Sequence, residues 1–198
     1  MAKYCYIDVE TTGLDHTKSA VWQLAGLIEV SGEKKEFFEY KIAPFEGAVL
    51  DDYALKMNKL TPEILSSFTE ENIVYLAFKN MLSKYVDKYN PKDKFFFVGY
   101  NASFDEKFTR EIFHRQKDKF FGSFFWYPPI DVMTIACLFL KNERARIPNF
   151  KLSTVCRYIG IDVEESKLHD ASYDIELTMK LYKLFENTLS YAQEVHHV

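Results

Sequence analysis

Lys3-Tyr4-Cys5-Tyr6-Ile7-Asp8-Val9-Glu10, followed at once by Thr11-Thr12-Gly13-Leu14, is the stretch on which the fold turns. Residues 3 to 9 alternate and are rich in β-formers, which predicts a strand. Side chains on a strand point alternately to its two faces, so Tyr4, Tyr6, Asp8 and Glu10 share one face and Cys5, Ile7 and Val9 the other. Two acids on one face lie about 7 Å apart along the chain, close enough to share a metal site. An Asp-X-Glu triplet by itself is more often the solvated face of an edge strand. Here it interrupts an otherwise apolar strand, and the glycine-containing turn behind it lets backbone N–H groups approach a ligand closely.

Working outward, Val21 to Val30 is an apolar run and Glu36 to Ile42 carries aromatics at strand spacing. Ser31-Gly32 between them predicts a hairpin and so an antiparallel pair. Val74, Phe78, Met81, Leu82, Tyr85 and Tyr89 recur at three- and four-residue steps, which predicts a long helix stopped by Asn90-Pro91. Phe95 to Val98 reads as a strand buried on both faces, after which Ser103 is placed to cap a helix bearing Phe104, Phe108 and Ile112. Further helices are predicted from Asp131 to about Leu140, over Leu152 to Tyr158, and from Ala171 to about Leu189, the last with Asp170 as cap and Leu177, Leu181 and Leu184 as its inward stripe. Strands followed by alternating strands and helices place the chain in the α/β class.

Three separated segments carry chemistry. Asp8-Val9-Glu10-Thr11-Thr12-Gly13-Leu14 is the first, and Asn101-Ala102-Ser103-Phe104-Asp105 follows the buried strand. His169-Asp170-Ala171-Ser172-Tyr173-Asp174 opens the last helix. Asp105 falls in a first helical turn, where the helix dipole favours the ionised form. Asp174 sits three residues before Leu177, so its carboxylate faces inward and needs a partner there. His169 is not on the same helical face as Asp174 and belongs to the preceding loop.

These three segments, in this order, resemble the motifs of the DEDDh 3′-to-5′ exonucleases, the group that includes polymerase proofreading subunits and small RNA-trimming enzymes. The related subgroup with a catalytic tyrosine has it four residues before the last Asp; that position is Asp170 here, so the histidine subgroup fits. The resemblance implies a ribonuclease H-like fold, a central five-stranded mixed β-sheet flanked by α-helices, forming a single exonuclease domain over residues 1–198. It assigns Asp8, Glu10, Asp105 and Asp174 to two Mg²⁺ ions, with Mn²⁺ able to substitute, as hard oxygen ligands favour. His169, with an ordinary pKa of about 6.5, becomes the general base that deprotonates the attacking water. Glu10 with Thr11, Thr12 and Gly13 holds the terminal ribose, Leu14 wedges against the last base, and Asn101 supports the site. The implied reaction is release of nucleoside 5′-monophosphates from single-stranded 3′ ends, with DNA slightly favoured over RNA. A nuclease-derived module that binds ends or a polymerase without cutting is the rival from another class.

Composition limits the partners. The 29 acids exceed the 25 Lys plus Arg by four, a balance unsuited to wrapping long duplexes; setting the four assigned acids aside leaves a neutral remainder. A short single-stranded end held at one site needs fewer phosphate contacts. No apolar run is long enough for a membrane span and the N-terminus lacks a secretory pattern, so a cytoplasmic protein without membrane association is expected. Cys5, Cys137 and Cys156 are expected to be reduced core thiols. A DNA polymerase or a second copy of the chain are the protein partners to consider. The aromatic segment Phe120 to Tyr127 either covers the core or stacks on bases or a partner.

Overall fold

The computed structural model describes residues 2–168 and 170–195, the last five by their backbone. Strands β1 (Lys3–Thr11), β2 (Val21–Val30) and β3 (Glu33–Lys41) come first, then helices α1 (Asp52–Met57), α2 (Pro62–Ser66) and α3 (Glu71–Ser83). β4 (Phe96–Gly99) leads into α4 (Ala102–Arg115) and the single turn α5 (Phe121–Phe124), and β5 (Ile130–Asp131) into α6 (Val132–Phe139). The chain continues through α7 (Leu152–Tyr158) and α8 (Ala171–Val195). The five strands form one mixed sheet in the order β3-β2-β1-β4-β5. β1–β2 and β2–β3 are antiparallel, β1–β4 and β4–β5 parallel. The expected α/β architecture is therefore present, with the acid-bearing strand in the middle.

Local chemistry accounts for the elements. The β2–β3 hairpin turns at Ser31 and Gly32 with φ of 58° and 81°, the two positive values that a tight hairpin matching strand twist requires. Cys5, Ile7 and Val9 pack with Phe78 of α3 and Phe108, Ile112 and Phe113 of α4 on one side of the sheet. Tyr6 and Ala25 pack with Val132 of α6, Val155 of α7 and Ile175, Leu177 and Leu181 of α8 on the other. The alternation read along β1 thus divides two separate apolar layers.

Several expectations are corrected. The predicted long helix ends at Ser83, and Tyr89 is exposed. Beyond it, Asp87 and Asp93 side chains accept backbone N–H bonds from Tyr89 and Asp87 (3.0 Å each), local bonds that compete with helix continuation. α1 and α2 were not expected: they are short, stabilised by caps from Asp51 to Ala54 N–H (3.0 Å) and from Thr61 to Ile64 N–H (3.3 Å), and by a small cluster around Trp22, Leu55 and Leu65. Ser103 is not the cap of α4. Asn101 holds that position in the left-handed conformation at φ 67°, without a side-chain cap bond, and Ser103 lies exposed in the first turn. Cys137 is exposed, whereas Cys5 and Cys156 are buried as expected. Leu184 is half-exposed, and Tyr182 and Phe185 beside it take the inward places. In the aromatic segment Phe121, Phe124 and Phe125 are core, packed on Phe95, Phe97 and Phe113; Phe120 and Tyr127 are exposed. No described helix is long and apolar enough to cross a membrane.

Candidate active site

The site follows from strand lengths. β4 pairs with β1 across Tyr4 to Tyr6 and ends at Gly99, so Asp8 and Glu10 lie past its carboxyl end, in the crevice where open α/β sheets bind ligands. Val9 lies beyond the last β1–β4 pair, and its N–H is taken instead by Asp105 Oδ1 at 3.1 Å. Asp105 stands in the first turn of α4, is 4% exposed, and is thereby locked against β1 between Asp8 and Glu10. From the opposite face, α8 brings Asp174 in its first turn. Asp170 Oδ1 accepts from Tyr173 N–H at 3.2 Å, which fixes that end of α8 as the expected cap. Two helices on opposite sides of the sheet thus meet over one strand end. The expected base, His169, lies outside the described residues.

The electrostatics single this crevice out. Burial raises the pKa of Asp8 well above the carboxylate range, reinforced by the charges of Asp105, Glu10 and Asp174. Asp8 keeps partial contact with solvent, so water moderates that effect. Glu10 is pushed up to about 7, by burial first and Asp174 second, with Lys41 pulling the other way. Asp105 is raised by burial and by Glu10 and Asp131, against the lowering effect of its bond from Val9 N–H. Elsewhere buried acids are compensated: Glu29 pairs with Lys183, Glu71 with Arg115, Glu106 with Arg110 and Asp118 with Lys79. Asp8, Glu10 and Asp105 have no ion pair among the described residues. Gathering like charges out of water without a counter-ion is costly, and a bound divalent cation relieves that cost.

The donor set fits such a cation: every donor is a carboxylate oxygen, the chemistry of Mg²⁺ or Mn²⁺ sites rather than of zinc. Among the described residues no three acidic, histidine or cysteine side chains are preassembled into a cage.

The loop after β1 is built as a rigid support. Thr12 is fully buried; its hydroxyl accepts from Ala20 N–H (2.9 Å) and donates to Val49 C=O (2.7 Å), while its backbone bonds Ala20 and Asp51. Thr12 was expected to touch substrate, but that hydroxyl is committed to scaffolding. Thr11 donates its hydroxyl to Gly13 C=O at 2.7 Å. A Cβ at Gly13 would stand 2.6 Å from Ser19 Oγ, so a larger residue there would have to displace the Ser19 hydroxyl. Leu14 emerges from this support 88% exposed. It borders a cavity of about 480 Å³ that includes Glu10, Thr11, Gly13, Tyr53 and Met57. A second cavity, about 570 Å³, lies beside Asp174 and is walled by Tyr100, Met133, Phe150 and Leu168.

Sequence reasoning did not assign two contributors. Asp131 Oδ1 caps α6 through Met133 N–H (3.0 Å) and accepts from Asn101 N–H (3.1 Å), tying the β4–α4 loop to β5. Its place before an apolar helix hinted at the cap, not at the contact with Asn101. Tyr53 and Met57 come from the unexpected α1, for which Asp51 preceding Leu55 was the available signal.

Comparisons with known proteins bear on the family and the fold. The exonuclease family RNase T matches residues 5–182. Ribonuclease T of Shewanella frigidimarina is 29% identical over 187 residues, covering 91% of this chain and 80% of the relative. Ribonuclease T of Buchnera aphidicola subsp. Baizongia pistaciae is 26% identical over 187 residues, covering 89% and 80%. Among solved structures, E. coli Exonuclease I in complex with a dT13 oligonucleotide matches with a TM-score of 0.73 at 22% identity, across 98% of this chain and 43% of that one. The zinc-bound Exonuclease I–single-stranded DNA complex matches with a TM-score of 0.74 at 22% identity, across 95% and 41%. This chain spans less than half of Exonuclease I, and at such identity the likeness speaks for the fold.

Proposed function

We propose, since the chain belongs to the RNase T family of exonucleases, that it removes nucleoside 5′-monophosphates one at a time from single-stranded 3′ ends in a reaction dependent on Mg²⁺. The observation that carries this reading is the crevice at the end of β1, where buried Asp105 and half-buried Asp8 and Glu10 come together with no cation paired to them among the described residues. Asp8, Glu10, Asp105 and Asp174 would hold a pair of divalent ions. Such ions, when bound, supply charge neutralisation at the scissile phosphate and acidify water.

The chain's own residues do the rest. Glu10 and the Thr11–Gly13 backbone receive the terminal ribose in the 480 Å³ cavity, with Tyr53 and Met57 as apolar walls for the base. Holding the terminal ribose 3′-OH there sets the 3′-to-5′ polarity, because only a free 3′ end offers that hydroxyl. Thr12 keeps that loop rigid, so binding costs little ordering. His169 takes the proton from the attacking water.

The sequence leaned slightly to DNA; similarity to Ribonuclease T along about nine-tenths of the chain moves the proposal toward RNA 3′-end trimming. Matched single-stranded RNA and DNA oligonucleotides, each with a free or blocked 3′ end, test it in Mg²⁺, Mn²⁺ and EDTA. The expected result is mononucleotide release from free ends, faster on RNA, abolished by EDTA. Binding of ends without release under any metal would establish the non-cutting module instead.

A further inference from the structure

We propose that Glu39, on the edge strand β3, is a positioning residue for the divalent-ion site: it ties the turn of α8 that carries Asp174 to the strand position beside Glu10. The proposal rests on the exonuclease reading above and extends it to a side chain outside the four carboxylates.

Sheet register puts Glu39 in place. Across β1, β2 and β3, Asp8 pairs with Ala25 and Ala25 with Glu39, while Glu10 pairs with Gln23 and Gln23 with Lys41. Residues paired across neighbouring strands point to one face, so these six side chains share the face on which Ala25 packs with α8. Ala25 presents a single methyl group there and is fully buried; Ala171, the first residue of α8, is fully buried in the same apolar layer. Small residues at such a contact let the start of a helix lie low on a sheet, which brings Ser172 within reach of Glu39.

The Glu39 carboxylate bonds in two directions. Its Oε1 accepts from Gln23 Nε2 at 2.9 Å, and its Oε2 accepts from Ser172 Oγ at 3.4 Å. Gln23 is 3% exposed and is the direct strand partner of Glu10; Ser172 stands in the first turn of α8, two residues before Asp174. One side chain therefore joins the neighbour of one proposed ligand to the turn that bears another. The Asp170 cap fixes where α8 begins along the chain, but not where that beginning sits over the sheet. The bond from Ser172 to Glu39, 133 residues away in sequence, acts on the second quantity. A carboxylate is also favoured at the amino end of a helix. Lys41 Nζ, 3.8 Å from Glu39 Oε1 and 5.1 Å from the centroid of the Trp22 ring, balances the charge that Glu39 adds. Groups that orient ligand carboxylates without touching the metal typically change its affinity about 10–100-fold when removed.

The test measures metal binding apart from catalysis. Mn²⁺ is titrated calorimetrically, with no nucleic acid present, into wild type, Glu39→Ala, Glu39→Gln, Ser172→Ala and the double alanine variant, and the Mg²⁺ dependence of kcat is followed on a single-stranded RNA oligonucleotide. Glu39→Ala is expected to bind Mn²⁺ about tenfold more weakly and to need about tenfold more Mg²⁺ for half-maximal kcat, with most of kcat returning at saturating Mg²⁺. Ser172→Ala should weaken binding about threefold, the worth of one long hydrogen bond, and add nothing further in the Glu39→Ala background. Glu39→Gln keeps the side-chain length and the capacity to bond Gln23 and Ser172, so it should restore most of the affinity. Affinity as low in Glu39→Gln as in Glu39→Ala would mean that Glu39 acts through its charge, and overturns the positioning role. So does unchanged Mn²⁺ affinity in Glu39→Ala, even with a lowered Tm in EDTA; with wild type binding metal and cutting, that result leaves the exonuclease reading standing. Wild type that binds no Mn²⁺ and releases no mononucleotide overturns both.

Discussion

Replacing Glu10 by glutamine should stabilise the metal-free protein while destroying its response to metal. The Glu10 carboxyl is pushed from 4.5 to about 7, by burial and then by Asp174. Each tenfold change in proton affinity is worth about 1.4 kcal/mol, so ionising Glu10 in the folded chain costs at most about 3 kcal/mol more than in the unfolded one. Glu10 retains partial contact with solvent, which screens this to roughly 1–3 kcal/mol. The sign follows from linkage. The folded state holds this proton more tightly than the unfolded state, so the wild type keeps the benefit below about pH 4.5, loses it as pH rises to about 7, and is level above that. Glutamine does not titrate. In EDTA, differential scanning calorimetry should therefore show Glu10→Gln and wild type melting together near pH 4.5. The variant should pull ahead as pH rises and lead by about 2–12 °C at pH 8, taking about 2–4 °C per kcal/mol for a chain of this size. Added Mg²⁺ should raise the wild-type Tm and the variant's far less. A variant no more stable than wild type at pH 8 in EDTA, or a gap that does not change between pH 4.5 and 7, refutes the claim that Glu10 is held against its charge.

Other residues give sharper yes-or-no outcomes. Asp8→Ala and Asp174→Ala should abolish mononucleotide release while circular dichroism stays native, since each removes a proposed metal ligand and little core volume. His169→Ala should lose about 10²–10⁴-fold in kcat, the usual worth of a positioned base; a loss under threefold removes it from the chemistry. Thr12→Val strands the Ala20 N–H in a buried position and should lower unfolding free energy by about 1–3 kcal/mol, read by urea denaturation. Asp131→Ala removes the α6 cap and the bond to Asn101 N–H together. It should cost about 1–2 kcal/mol and also lower kcat, because the loop it holds leads directly into Asp105.

Much of this molecule could be read without coordinates because its signals are local. Alternation in Lys3 to Val9 put Asp8 and Glu10 on one face and the apolar residues on the other, and the two packed layers divide along that line. A first-turn position for Asp105 and a cap role for Asp170 came from helix chemistry within a few residues of each. Elements failed where local chemistry misled: Ser103 looked like a cap, but the chain enters α4 through left-handed Asn101. Leu184 fitted a helical period, but Tyr182 and Phe185 take the inward places beside it.

The amino-acid order alone put Asp8 and Glu10 on one face of one strand and Asp105 in a first helical turn, since strand period, capping and turn chemistry act over a few residues. What tertiary structure decided concerns where long-range partners stop. β4 ends short of Val9, which frees that N–H for Asp105 and draws a helix from one face over a strand that α8 approaches from the other. The buried acids elsewhere meet a lysine or arginine, and among the described residues buried Asp105 has no such ion pair. Leu14 is one exposed residue in the sequence and the wall between two cavities in the fold. Such facts depend on what fails to arrive at a given place, and no periodicity within a segment records it.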